Sequence, residues 1–188
     1  MPFVPSPSFD AALLFTVDKH RAQVRKGSGV PYVTHLLSVA ALVAEFGGDE
    51  TQTIAALLHD VIEDQGVTEA ELVERFGPDV ARIVVACTDA FERPKPPWRA
   101  RKEAHLALLR GKPPEVKLVV ACDKLHNLLS IARDLRDPAV GEAVWGRFSA
   151  PKGDCLWYYR SVQASLAAGW QHRVLGELAD VLRTLEAG

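Results

Sequence analysis

The sequence predicts an all-α fold, one compact multi-helix bundle spanning residues 1–188. Two observations predict it. Apolar residues recur at three- and four-residue spacing along most of the chain, and no alternating strand pattern of any length occurs. Breakers such as Gly47–Gly48, Gly77–Pro78 and Pro113–Pro114 fall between the periodic stretches. The elements divide into a core over about 8–134 and C-terminal helices over about 152–186.

The first helix is expected from Ser8, as N-cap, to Gln23, with Phe9, Ala12, Leu13 and Val17 on one face. Arg25 to Pro31 (RKGSGVP) reads as a glycine-rich polar loop. A second helix runs from His35 to Phe46. A third runs from Thr51 to Val61, striped by Ile54, Leu57, Leu58 and Val61. Thr68 and Glu71 have capping-box spacing before a short helix that ends at Gly77. Pro78 opens the next, to about Ala90, because proline suits a first helical turn. The prolines of Glu92–Pro97 forbid regular structure there. Helices follow over Trp98–Arg110 and Glu115–Arg133. Asp137–Pro151 is irregular or holds a short helix. Cys155–Ala168 and Gln171–Leu185 close the chain.

Composition narrows the function. Hydrophobic residues make up 48% and charged residues 24%, an ordinary globular balance. The net charge of −2 gives no basic excess for a nucleic-acid partner. No run of about 20 apolar residues exists to cross a membrane. Cys87, Cys122 and Cys155 are odd in number and far apart, which fits a reducing compartment, and the cytoplasm is the expected location. The first 20 residues carry Asp10, Asp18 and Lys19, so no signal peptide is expected.

Chemistry concentrates in four places: His35, the run His59-Asp60-Val61-Ile62-Glu63-Asp64, Asp123 and Asn127. The run ends an apolar helix with four ionisable side chains in six positions. Residues four apart on a helix share a face, so His59 lies above Glu63 and Asp60 above Asp64. Carboxylates in its last turn would oppose the helix dipole, at about 0.3–1 kcal/mol each, so a cation is the natural compensation. Asp123 follows the mostly apolar stretch Val116–Cys122, where a lone carboxylate needs a partner. A mixed imidazole and carboxylate set suits a mid-row divalent metal with positions left for water and substrate. Taken singly, each piece is ordinary: His35 a satisfied histidine, Glu63-Asp64 a solvated turn, His126-Asn127 a surface patch. The order and spacing are what make the set specific.

Three stretches carry a resemblance: Gln23–Lys26 with Gly29–His35, Leu57–Asp64, and Ala121–Leu128. Together they resemble the HD-superfamily metal phosphohydrolases. More narrowly they resemble the alarmone hydrolase domain of the Rel/Spo enzymes and the small alarmone hydrolases. The resemblance covers residues 8–134 well and the tail loosely. It implies metal-dependent hydrolysis of the 3′-pyrophosphate of guanosine tetra- or pentaphosphate (ppGpp or pppGpp), giving GDP or GTP and pyrophosphate. It implies one divalent ion, usually manganese (Mn2+), on His35, His59, Asp60 and Asp123. It gives Glu63 and Asp64 the activation and orientation of water. Arg25 and Lys26 would lie against the base, and Asn127 and Ser130 would line the nucleoside pocket. Lys102 and Tyr159 are further substrate contacts on this alignment. The implied partner is a small-molecule nucleotide, with no nucleic acid and no membrane. Ser130 and Gln65 stand where the family has threonine, and Leu36 where it often has proline; none of these removes a ligand. No synthetase segment is expected in the stretch after Asp134.

The rival expectations are an HD-domain nucleotidase acting on another nucleotide and a non-catalytic alarmone sensor. Trp145, Trp157, Tyr158, Tyr159 and Trp170 read as packing for the last helices. Arg99, Arg101 and Lys102 read as a solvated face, with phosphate contact as the alternative, and Cys122 as a small buried apolar residue.

Overall fold

The computed structural model describes residues 3–88 and 96–187. Among these the helices are α1 (Pro7–Lys19), α2 (Val33–Glu45), α3 (Glu50–Leu58), α4 (Val61–Gln65), α5 (Glu69–Phe76), α6 (Pro78–Cys87), α7 (Trp98–Leu109), α8 (Pro114–Arg136), α9 (Lys152–Ala167) and α10 (Arg173–Ala187). A 3-10 helix covers Gly141–Arg147. The described residues form no strand; the nearest thing is an isolated bridge between Val24 and Pro31. The expected loop after α6 lies mostly outside the described residues, as does the helix end expected at Ala90.

The fold is organised around α8. Val116 to Asp123 are buried without a break, so this helix is enclosed on every side rather than along one stripe. It meets α2, α3, α6, α9, α10 and the 3-10 helix. Its first turns carry a buried lysine, Lys117, whose Nζ donates to the Ala168 carbonyl at 2.7 Å. That bond satisfies a carbonyl at the end of α9 and holds the C-terminal helices on the core. Trp145, Tyr158 and Tyr159 are buried, and Trp157 and Trp170 pack against the same cluster, as the aromatic-rich tail predicted.

Several element ends differ from the sequence reading: α1 stops at Lys19 and not Gln23, α2 begins at Val33 and α9 at Lys152. Helix α1 starts at Pro7, with Ser6 rather than Ser8 as the cap; the Ser6 hydroxyl accepts from the Ser8 amide at 3.2 Å. The stripe expected to run unbroken from Thr51 to Val61 is two helices. Asp49 and Gln52 form a capping box that starts α3, and α3 stops at Leu58. Asp60 then caps α4 with φ −106° and ψ 0°, and Gly66, at φ 67°, ends it in the left-handed region. The chain therefore turns at His59–Asp60, and the expected stacking of His59 over Glu63 on one continuous helix is lost. Glu63 and Asp64 fall in the first turn of α4, where negative charge complements the dipole instead of opposing it.

The loop before α2 folds back on itself. The Arg25 amide donates to Val30 at 2.7 Å, and the Tyr32 amide donates to Gln23 at 2.9 Å. Gly27, at φ 77°, makes the turn, and a Cβ there would overlap the Arg147 side chain.

Candidate active site

Three parts of the fold meet at one buried point. α2 supplies His35 in its first turn, the α3–α4 corner supplies His59 and Asp60, and α8 supplies Asp123. His35, His59 and Asp123 offer ligand atoms all within 4.8 Å of one another. His35 Nε2 lies 3.2 Å from Asp123 Oδ1, and His59 Nε2 lies 3.2 Å from Asp60 Oδ2 and 3.8 Å from Asp123 Oδ1. His59 Nε2 is buried yet makes no directional hydrogen bond to either carboxylate. A buried ring nitrogen aimed at two carboxylates without bonding to them suits a lone pair meant for a cation. The donor set therefore fits the divalent metal that sequence reasoning expected there.

Electrostatics agree. Burial works against both carboxylates, yet His59 holds Asp60 well below the usual range, and Lys124 and His35 do the same for Asp123. Burial likewise disfavours a charged His59, but Asp60 and Asp123 outweigh it and raise that ring to about 9. For His35, burial wins and its pKa falls. Without a cation the protein itself must neutralise the pair, through His59 and through Lys124, whose Nζ lies 2.6 Å from Asp123 Oδ2.

Outer contacts fix these groups. His59 Nδ1 faces the Ala56 carbonyl at 2.7 Å. Tyr32 donates its hydroxyl to Asp60 Oδ2 at 2.5 Å, and burial followed by Asp60 raises the phenol's pKa, so it stays a donor. Asn127 donates to Asp123 Oδ1 at 2.6 Å and accepts from Arg25 at 2.8 Å. His35 Nδ1 lies 2.7 Å from His126 Nδ1. Burial, then the neighbouring His35 and Arg25, lower His126 to about 4, so its ring is neutral.

Two cavities flank the point and share Tyr32 and Asn127 as a common wall. The first, about 190 Å³, holds His59, Asp60, Glu63, Asp64 and Asp123 together with Arg101, Lys102, His105 and Lys124. Arg101 and Lys102 thus face the cavity and not bulk water, contrary to the solvated-face expectation. The turn of α7 decides it, since Arg99 points elsewhere, over the Trp157 ring at 3.3 Å and onto Glu103. The second cavity, about 210 Å³, is lined by Arg25, Lys26, Asn127 and Ser130. Tyr159 is buried on α9 and lines neither cavity. Asp64 is not a bare carboxylate. Gln23 donates to its Oδ2 at 2.8 Å, and Gln65 donates to Gln23 behind it. Burial and then Asp60 raise the Asp64 pKa.

Sequence reasoning missed several of these residues. Tyr32 and Gln23 lie inside the quoted motifs, and their spacing from His35 was the available signal. Asp134, Arg147 and Phe148 also line the second cavity. Arg147 donates to Asp134 at 2.5 Å and lies against Gly27. Nothing local in the sequence pairs a 3-10 turn with a loop over a hundred positions earlier.

A buried His/Asp centre at a helix corner, enclosed by helices, defines the class. The family described as HD domain matches residues 12–147, and the chain belongs to that family. Among its relatives is guanosine-3′,5′-bis(diphosphate) 3′-pyrophosphohydrolase MESH1 of Xenopus tropicalis. It is 38% identical over 134 residues, covering 67% of this chain and 73% of that protein. The Aquifex aeolicus (strain VF5) protein named guanosine-3′,5′-bis(diphosphate) 3′-pyrophosphohydrolase is 38% identical over 117 residues, 62% of this chain. This chain spans 17% of that protein, and less than a fifth of the other bacterial relatives of the kind. A solved metazoan ortholog of SpoT, described as hydrolysing ppGpp, superposes with a TM-score of 0.79 at 28% identity over 97% of each chain.

Proposed function

We propose that this chain, as one HD-type domain over residues 1–188, is a manganese-dependent hydrolase of the alarmone 3′-pyrophosphate acting in the cytoplasm. The observation that carries the proposal is the pair of cavities meeting at Tyr32 and Asn127. One holds the acidic and imidazole centre beside basic side chains; the other holds Arg25 and Lys26. A nucleotide with a base at one end and a 3′-pyrophosphate at the other matches that division. The names of MESH1 and of the metazoan SpoT ortholog support the same substrate.

His35, His59, Asp60 and Asp123 would hold the ion. When bound, it polarises a phosphoryl oxygen and lowers the pKa of water. The remaining work falls to the chain. Arg25 lays its planar cation on the base, Lys26 adds charge beside it, and Asn127 and Ser130 face the ribose. Arg101, Lys102 and Lys124 offset the pyrophosphate charge. Glu63 or Asp64 accepts the proton of the attacking water, a step worth about 10²–10⁴-fold. Water oxygen bonds to phosphorus, the bond to the 3′ oxygen breaks, and that oxygen takes a proton. The products are GDP or GTP and pyrophosphate. Tyr159, buried and lining neither cavity, would not touch substrate.

Purified protein with Mn2+ is expected to release pyrophosphate from the alarmone, and EDTA to stop it. Asp60→Ala should lose metal and activity together. Glu63→Gln should keep metal and lose about 10²–10⁴ in rate if Glu63 is the base. Tight binding without turnover would instead mark a sensor. Phosphate release from simple monophosphates would mark a broader nucleotidase.

A further inference from the structure

The two imidazoles of the centre are held from behind by different kinds of partner. His59 turns Nδ1 to the Ala56 carbonyl at 2.7 Å. A carbonyl only accepts, so the neutral His59 ring that a cation requires keeps its proton on Nδ1 and offers the lone pair of Nε2. His35 turns Nε2 inward, 3.2 Å from Asp123 Oδ1, and Nδ1 outward, 2.7 Å from Nδ1 of His126. Two ring nitrogens at that distance share one proton, and a histidine can sit on either side of the bond. For His35 to present its Nε2 lone pair, its proton must lie on Nδ1. His126 must then accept through Nδ1 and carry its own proton on Nε2.

We infer that His126 is a positioning residue of the metal centre, holding the His35 ring in the orientation and tautomer that a cation requires. This rests on the metal reading above. His126 lies on α8 three positions beyond Asp123, so one helix carries a ligand and the support of another ligand. In the opposite tautomer His35 Nε2–H donates to Asp123, and His126 Nδ1–H donates to His35. Converting one to the other moves a proton from His126 Nδ1 to His35 Nδ1. His35 Nε2 releases a proton to solvent and His126 Nε2 takes one up, so the net count is unchanged. Cation entry thereby sets the tautomer of a residue that does not touch the cation.

Two variants and one spectrum test this. His126→Phe keeps a ring without nitrogen, whereas His126→Asn places an acceptor oxygen where Nδ1 stands. By calorimetric titration with Mn2+, His126→Phe should bind about 10–100-fold more weakly than wild type, and His126→Asn should recover most of the loss. Ring-nitrogen NMR of the wild type, titrated with Zn2+ as a diamagnetic probe, should show the His126 proton on Nε2 in the loaded protein. Wild-type Mn2+ affinity in a folded His126→Phe, or a proton remaining on His126 Nδ1 after zinc loading, overturns the inference. Should His126→Phe not fold, the wild-type spectrum still decides. If Mn2+ affinity depends on His126 as expected but the wild type does not cleave the alarmone, the substrate reading falls and this one stands.

Discussion

Asp64 and Gln23 are separated by 41 positions in sequence and by 2.8 Å in space. Gln23 in turn receives a hydrogen bond from Gln65 and lies 2.7 Å from His20 Nδ1. Asp64 is thereby aimed, which a carboxylate needs if it is to meet one particular water. Gln23→Leu is expected to lower kcat about 10–100-fold, the worth of a hydrogen bond to a charged group, with Mn2+ affinity unchanged. Steady-state kinetics beside calorimetry would read both, and an unchanged kcat would show that Asp64 needs no such support. At this scale the residues legible in the sequence were those whose type is costly in its setting. His35, His59, Asp60 and Asp123 stand beside apolar stretches and ask for a partner. Gln23, Tyr32 and Arg147 raise no such question, because glutamine, tyrosine and arginine are common at surfaces. Their roles exist only through contacts the fold creates.

Among the elements, the corner between α3 and α4 and the loop before α2 do most to shape the site. The corner was invisible in the pattern. Ile54, Leu57, Leu58 and Val61 keep a helical stripe across it, and neither glycine nor proline marks the turn. The stripe is a record of burial, and burial continues on both sides of the bend. The loop was legible as a loop from Gly27 and Gly29, but its partner was not. Gly27→Ala should destabilise the fold by about 1–2 kcal/mol through its left-handed backbone. It should also displace Arg147 and so weaken nucleotide affinity. Chemical denaturation and a binding isotherm would measure the two effects, and a neutral result in both would remove Gly27 from the account.

Taken whole, the molecule wraps its helices around α8; periodicity predicted a long helix there, and its enclosure is seen only in the fold. The ligands come from elements distant in sequence and belong together only once α2, the α3–α4 corner and α8 are packed. Metal binding as proposed would therefore be coupled to global folding. Mn2+ at about 100 times its Kd should add about 2.7 kcal/mol, a rise in thermal midpoint of about 5–10 °C, which EDTA reverses. A midpoint indifferent to both would mean the unfolded chain binds the ion as well as the folded one, or that no ion binds.

Tyr32 and Asn127 stand between two chambers that have little else in common. Under the proposed reaction each product is left in its own berth, nucleoside on one side and pyrophosphate on the other. Neither has to leave before its neighbour. The enzyme would then feel the accumulation of either product separately, and the two brakes would act at different addresses in one protein.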